Sequence, residues 1–250
     1  MKIRILGSGG SFGSPLAWEK FGNIDIKNSK NFRTRSSVLI SDNSTSLLID
    51  TSPDLRQQLF DAKCTNIDAV IYTHIHSDHT AGLPDMRAMS LINNKIIPAY
   101  MPIEMKDEIY HKYKYIFKGE KDYRQFMEIN ILKDEFSINN FKINTFKHNH
   151  GEIDVQTFRI GNFAYSTDIK KFYNKDIDKL KNLDLWIVGL LRPDSHPSHC
   201  GFDEVMEYID YLKPKKTVFT HMTALIDEET INNKCPKSVI AGYDGLELIV

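Results

Sequence analysis

The run His74-Ile75-His76-Ser77-Asp78-His79 places three imidazoles and a carboxylate within six residues. Imidazole nitrogens and carboxylate oxygens are the ligands that zinc, manganese and iron accept in hydrolytic sites. On extended chain, residues two apart project to the same side, so His74 and His76 can reach one ion. Asp78 and His79 lie past a turn and can face a second ion close by. Gathering so many titratable groups in one loop without a metal is electrostatically unfavourable.

One cluster does not complete two metal shells. Further donors stand at the ends of other expected strands: His150 after residues 141–146, Asp168 after 163–166 and His221 after 217–219. Singly, each has a structural rival; Asp168, for one, is a good N-cap for the segment starting Ile169-Lys170. Their common position, where loops gather over a sheet edge, is what joins them to the histidine loop.

The elements that must carry these residues follow from short apolar runs. Residues 2–6 read as a first strand, stopped by Gly7-Ser8-Gly9-Gly10-Ser11. Strands at 37–40 and 46–49 flank Ser41-Asp42-Asn43-Ser44, a hairpin signature. Pro53 opens a helix reaching Ala62. Residues 67–73 are rich in β-branched side chains and form a buried strand, and the histidines begin where it stops. Helices are expected at 84–92 and 102–117, then strands at 126–132, 141–146, 155–160 and 163–166. A strand at 185–191 leads to a helix at 203–212, one at 217–219 leads to His221, and 246–250 closes the chain. Strands mixed with flanking helices predict an α/β (α+β) chain with helices packed outside sheets. No repeat or linker divides it, so one domain over 1–250 is expected, with 15–30 as a surface loop.

Composition narrows the function. The 250 residues are 41% hydrophobic and 26% charged, the balance of a globular chain, with a formal net charge of −1. That charge gives no bulk attraction to a polyanion, so nucleic acid is not the favoured partner. The basic runs Lys112-Tyr113-Lys114 and Lys213-Pro214-Lys215-Lys216 read as a helix face and a turn. Cys64, Cys200 and Cys235 form no Cys-x-x-Cys pair, which argues against a disulfide framework and for a reducing compartment. No signal-peptide core follows Met1-Lys2, and residues 183–191 are too short to span a bilayer. The expectation is a cytoplasmic protein without a membrane partner, with a homodimer as the general prior.

The order of these motifs resembles the metallo-β-lactamase superfamily, nearest its PhnP-like phosphodiesterase branch and, more distantly, ribonuclease Z. The match runs over nearly the whole chain. It includes Gly7-Ser8-Gly9-Gly10-Ser11, Asn31-Phe32-Arg33-Thr34-Arg35-Ser36-Ser37, Ala164-Tyr165-Ser166-Thr167-Asp168, His196-Pro197-Ser198-His199 and Thr220-His221-Met222. The resemblance implies a four-layer αββα sandwich with two divalent metal ions at one edge. His74, His76 and His150 would hold the first ion, Asp78, His79 and His221 the second, and Asp168 would bridge them. Asp50, after an early strand, would orient ligand histidines. PhnP-like proteins also carry a cysteine-rich structural zinc in the first long loop. Here Trp18-Glu19-Lys20-Phe21-Gly22-Asn23-Ile24-Asp25-Ile26 has no cysteine, so no structural zinc is expected and the branch's substrate does not transfer automatically.

The implied chemistry is hydrolysis of a small cyclic or nucleotide phosphodiester by water activated between two ions, with Asp78 inside the catalytic centre. His199 is the candidate proton donor to the leaving oxygen, and it resembles the catalytic histidine of the branch. His196, its chain fixed by Pro197, is the weaker candidate. Arg33, Arg35 and Ser37 are candidate phosphate contacts. The Gly7–Ser11 turn lacks the Gly-Lys-Ser/Thr of a phosphate-binding loop; its glycines let backbone pass close beneath the metal site. His111 and His148 read as incidental. The competing readings are a ribonuclease Z-like endonuclease acting on transfer-RNA precursors, a thioester or lactam hydrolase, and a non-hydrolytic metal or redox protein.

Overall fold

The alternation of apolar residues along the strands decides the layering. The computed structural model describes residues 1–16 and 22–250; the expected loop at 15–30 therefore falls partly outside the described residues, as does Trp18-Glu19-Lys20-Phe21. The first sheet takes β1 (Lys2–Gly7), β2 (Ser37–Ser41), β3 (Ser46–Ile49), β4 (Ala69–Ile71), β5 (Ile97–Met101) and β6 (Met127–Ile131). The second takes β7 (Glu135–Ile138), β8 (Phe141–His150), β9 (Ile153–Ile160), β10 (Phe163–Ser166), β11 (Lys171–Phe172), β12 (Leu185–Gly189), β13 (Lys216–Thr220) and β14 (Val239–Ala241). The last strand, β15 (Glu247–Ile249), returns to the first sheet beside β1, whose order is β15-β1-β2-β3-β4-β5-β6. The second sheet runs β11-β8-β9-β10-β12-β13-β14, with β7 added to β8.

Successive side chains of a strand point to opposite faces, and both sheets use this fully. Leu47 and Ile49 of β3 face the other sheet, while Leu48 faces outward. In β12, Leu185 and Ile187 join the same central layer, and Trp186 and Val188 face outward. Each fully buried aliphatic side chain stabilises the fold by roughly 1.5–3 kcal/mol. The outer face of the first sheet is covered by α1 (Leu55–Asp61), α3 (Met86–Ile92), α4 (Ile103–Lys112) and α5 (Lys114–Lys118), while the single turn α2 (Ser77–Thr80) adds no side chain to that core. That of the second is covered by α6 (Phe202–Leu212) and α7 (Glu228–Lys234). The result is the expected helix–sheet–sheet–helix sandwich. No helix among the described residues is long and apolar enough to cross a membrane.

Several boundaries differ from expectation. The helix expected at 102–117 breaks at Tyr113, whose backbone (φ −123, ψ 33) leaves the helical region, giving α4 and α5. The strand expected at 67–73 narrows to β4, which frees Thr73 and His74 to turn into the site. Strand β8 runs on through His150 rather than stopping at 146, because β9 pairs with it to the end, His150 opposite Ile153. Strands β5, β7, β11 and β14 and helix α7 carry too little periodicity to be read from sequence alone.

Candidate metal centre

The site forms where strand ends of both sheets meet. Asp50 follows β3, Asp168 follows β10 and His221 follows β13, and all three have left-handed backbone, with φ of 60, 53 and 57. Such a conformation is uncommon outside glycine, although Asp and His tolerate it better than most. It turns each side chain sharply back over the sheet edge. The neighbouring strand β4 delivers Thr73 and His74 beside Asp50, and the short α2 presents Asp78 and His79 in one turn.

Hydrogen bonds then fix which nitrogen of each ring is free. Asp50 accepts from the Thr73 amide (2.8 Å) and from the Thr73 hydroxyl (2.8 Å). Having donated its proton there, Thr73 Oγ1 can only accept from His74 Nδ1, 2.9 Å away. His79 Nδ1 donates to Asp50 Oδ2 at 2.7 Å, and His150 Nδ1 donates to the Ser198 carbonyl at 2.7 Å. A neutral imidazole carries one proton, so His74, His79 and His150 each keep a bare Nε2. These lone pairs converge with carboxylates. His74 Nε2 lies 2.9 Å from His76 Nδ1. His79 Nε2 lies 3.3 Å from Asp168 Oδ2, 3.4 Å from Asp78 Oδ2 and 3.4 Å from His221 Nε2.

Nitrogen and carboxylate lone pairs gathered this closely are a donor set that a cation can bridge. The donor atoms of His74, His76 and His150 lie within 4.8 Å of one another, as do those of Asp78, His79 and His221. Asp168 stands between: its Oδ1 is 3.9 Å from His150 Nε2 and 3.5 Å from His221 Nε2. The electrostatics agree. Burial opposes charge on Asp168, yet His221, His79 and His74 hold it well below the carboxylate range. Asp78 is likewise held low against burial by His221 and His79. Burial opposes protonation of His79, but Asp50, Asp168 and Asp78 raise it well above an ordinary imidazole, so without an ion a proton on Nε2 takes the place that a metal cation would fill. The pocket is built for positive charge, and its donor set fits two divalent ions. His221 departs from the pattern, since its buried Nδ1 has no partner among the described residues.

The model of the Beta-lactamase superfamily domain matches residues 45–222. The chain belongs to the metallo-β-lactamase superfamily. A crystal structure of a diphosphatase from the PhnP family superposes with a TM-score of 0.90 at 29% identity, over 100% of this chain and 97% of that one. Human short-form tRNase Z superposes at 0.74 with 18% identity, over 100% and 99% of the two chains, which is a likeness of fold. A protein named octanoyltransferase from Porphyromonas gingivalis (strain ATCC BAA-308 / W83) is 30% identical over 257 residues. That alignment takes in 100% of this chain but 52% of the relative, so the chain spans about half the length of that protein.

Within this superfamily site, His199 sits on the outer side, its side chain 12% exposed and its Nδ1 3.8 Å from Asp168 Oδ1. With His150 and Asp168 it forms a further donor group. Burial pushes His199 down to about 3, against the pull of Asp168 and with repulsion from His221 and His150. A tight turn carries it: His196 and His199 exchange backbone hydrogen bonds of 2.9 and 3.3 Å. His196 itself spends Nδ1 on the Ser198 hydroxyl at 2.9 Å. The glycine turn lies where expected, since the Gly10 amide donates to Met222 and a Cβ on Gly10 would stand 2.9 Å from Leu191 Cδ1.

The structure does not bring Arg33 and Ser37 to the site. Arg33 is 2% exposed and its guanidinium donates to the carbonyls of Thr223 and Ile226 and to Asn31 Oδ1. It is an internal strut. Ser37 is fully buried and donates to the Ile49 and Asp50 carbonyls, bracing the turn beneath Asp50. Arg35 is half-buried and paired with Asp54 at 3.0 Å. His148 proves far from incidental. Because β8 continues unbroken, His148 points to the same side as His150, is fully buried, and contacts the Thr167 carbonyl at 2.8 Å and Thr157 Oγ1 at 2.9 Å. It therefore braces the residue before Asp168. The sequence signal was available in the i, i+2 spacing to His150, once the strand is known to be continuous. His111 is a surface residue bonded to the Asp107 carbonyl.

Proposed function

We propose that the chain is a dinuclear metal-dependent hydrolase whose substrate is a small phosphodiester. The observation that carries this reading is the set of bare Nε2 atoms of His74, His79 and His150 converging on Asp168 between two donor groups. His74, His76 and His150 would hold one ion, Asp78, His79 and His221 the other, with Asp168 shared. Bound there, two divalent ions supply a water of lowered pKa and offset the negative charge of a phosphate.

The chain's own contribution is orientation. Asp50 holds His79 directly and His74 through Thr73, so neither ring can turn a protonated nitrogen inward. Thr167 Oγ1 donates to Asp168 Oδ2 at 2.7 Å, fixing the carboxylate that both donor groups share. His199, neutral at rest and on the open side, donates a hydrogen bond to an anionic substrate. The charge of that substrate favours proton uptake by the ring and delivery to the leaving oxygen. The similarity to a PhnP-family diphosphatase over the full chain supports a phosphate ester as substrate.

A second reading, hydrolysis of an acyl thioester, rests on the full-length match to half of a protein named an octanoyltransferase. One panel decides. Purified protein is analysed for zinc, manganese and iron, loaded with each, and assayed on bis(p-nitrophenyl) phosphate, cyclic nucleotides and an octanoyl thioester. Turnover of diesters alone supports the proposal. Turnover of the thioester alone replaces it.

A further inference from the structure

A groove of about 340 Å³ begins at the metal centre, with His74 and Ile75 at its inner end and Pro102, Met105 and Ile153 as apolar walls. Its floor is Gln156 of β9. The backbone amide of Gln156 donates to the Thr73 carbonyl at 3.1 Å, which locks the floor to the residue preceding the first ligand. Gln156 is 6% exposed, and its side-chain amide makes no hydrogen bond with another described residue. The amide opens into the groove, where a ligand can reach both its donor and its acceptor. Past Gln156 the groove widens into a basin of about 580 Å³ that shares Pro102, Lys147 and Gln156 and adds Tyr173.

The charge around the inner groove is acidic. Glu104, Glu108, Glu152 and Asp154 line it together with Lys147, and Lys147 is already paired with Glu104. A strand of phosphates would meet uncompensated carboxylates there. An uncharged group with hydrogen-bonding edges and a flat apolar body would not: the Gln156 amide offers a donor and an acceptor, the carboxylates accept from hydroxyls, and the walls cover the ring.

We propose that this groove is the subsite for one alcohol half of the substrate, that this half is a nucleoside, and that Gln156 selects it. The inference rests on the phosphodiesterase reading above for the reaction, but the groove's binding is separable from it. A neutral nucleoside bound here leaves the phosphate at the His74 end, beside the metal ligands.

Thymidine alone is the binding probe, followed by methyl shifts of Ile75, Met105 and Ile153 in the full chain. Thymidine 5′-p-nitrophenyl phosphate and bis(p-nitrophenyl) phosphate are the kinetic pair. Gln156→Leu should abolish the thymidine shifts and raise KM for the thymidine ester on the order of 10-fold, while KM for bis(p-nitrophenyl) phosphate changes less than about 2-fold by the same reasoning. Ile153→Trp, which fills the groove from its wall, should do the same without touching Gln156. Equal losses on both esters, unchanged thymidine shifts in both variants, or tighter binding of choline than of thymidine would each overturn the proposal. Absence of turnover of any diester, with thymidine shifts intact, sinks the reaction and leaves the subsite standing.

Discussion

Asp50 Oδ2 lies 2.7 Å from His79 Nδ1, and both side chains are wholly buried. This contact sets the tautomer of a ligand ring from outside the ligand set. Asp50→Asn removes the charge and lets the amide donate as readily as it accepts, so His79 can present a protonated Nε2. Metal affinity should fall roughly 10- to 100-fold, the range for lost partners of ligand histidines. Chelator competition measures it; an unchanged affinity would mean that Asp50 serves only the strand end.

Asp168 and His199 separate binding from rate. Asp168→Ala should lose metal and activity together, because both donor groups share that carboxylate. His199→Ala should retain metal and lose about 10²–10⁴ in kcat, the range for a positioned acid. Metal content beside a single-turnover rate distinguishes the two. A His199 variant that has lost an ion would recast the residue as a ligand, which its 3.8 Å approach to Asp168 permits.

The ligand loop was legible because its chemistry is dense: three imidazoles and a carboxylate in six residues have few other uses. Asp168 and His221 were legible through their places at strand ends. What the sequence hid is geometric. Nothing in the residue types marks Asp50, Asp168 and His221 for left-handed backbone, which is the device that aims them. Arg33 reads as a phosphate contact because a guanidinium is normally exposed. Its acceptors, Thr223 and Ile226, lie 190 and 193 positions along the chain, and no local pattern reports a partner so distant. Gln156 was invisible for a related reason, since a glutamine inside an alternating strand looks like an ordinary solvent-facing position until the facing helix is in place.

Arg33→Ala tests the strut directly. Removing the guanidinium leaves the Ile226 carbonyl without a donor, whereas the Thr223 carbonyl keeps the Ile226 amide and Asn31 Oδ1 keeps the Glu228 amide. One unmet buried group predicts a loss of about 1–3 kcal/mol, read by urea unfolding. The kcat and KM of the folded fraction should stay near wild type. A raised KM at unchanged stability would restore the phosphate-binding role.

Metal removal should lower stability as well as activity. An ion bound only by the folded state contributes about 2.7 kcal/mol at 100 times its Kd, and a chain of this size shifts about 2–4 °C in Tm per kcal/mol. Chelation should therefore lower Tm by roughly 5–10 °C for each site filled. Excess zinc or manganese should reverse it. A chelator-treated sample with an unshifted Tm, shown by analysis to have lost its ions, would argue against a metal centre built into the fold.

Asp227 offers a pH test away from the metal centre. Its carboxylate caps α7 through the Thr230 amide and also accepts from the Asp25 amide and Asn31 Nδ2, tying the first long loop to that helix. Burial opposes its charge, but the Thr230 and Asp25 amides outweigh it and push Asp227 down to about 2. The folded pKa thus lies below the unfolded value near 3.9, so the native state favours the ionised form. The stabilisation is complete above the unfolded pKa and is lost as pH falls through about 2. Because the group is half-buried, the contribution is on the order of 1 kcal/mol after solvent screening. Asp227→Asn keeps a competent cap and removes the charge. The stability gap between wild type and variant, measured by urea unfolding from pH 7 downward, should hold constant to about pH 4 and then close. A gap undiminished at pH 2.5 would show that geometry, rather than the ionised carboxylate, joins the loop to the helix.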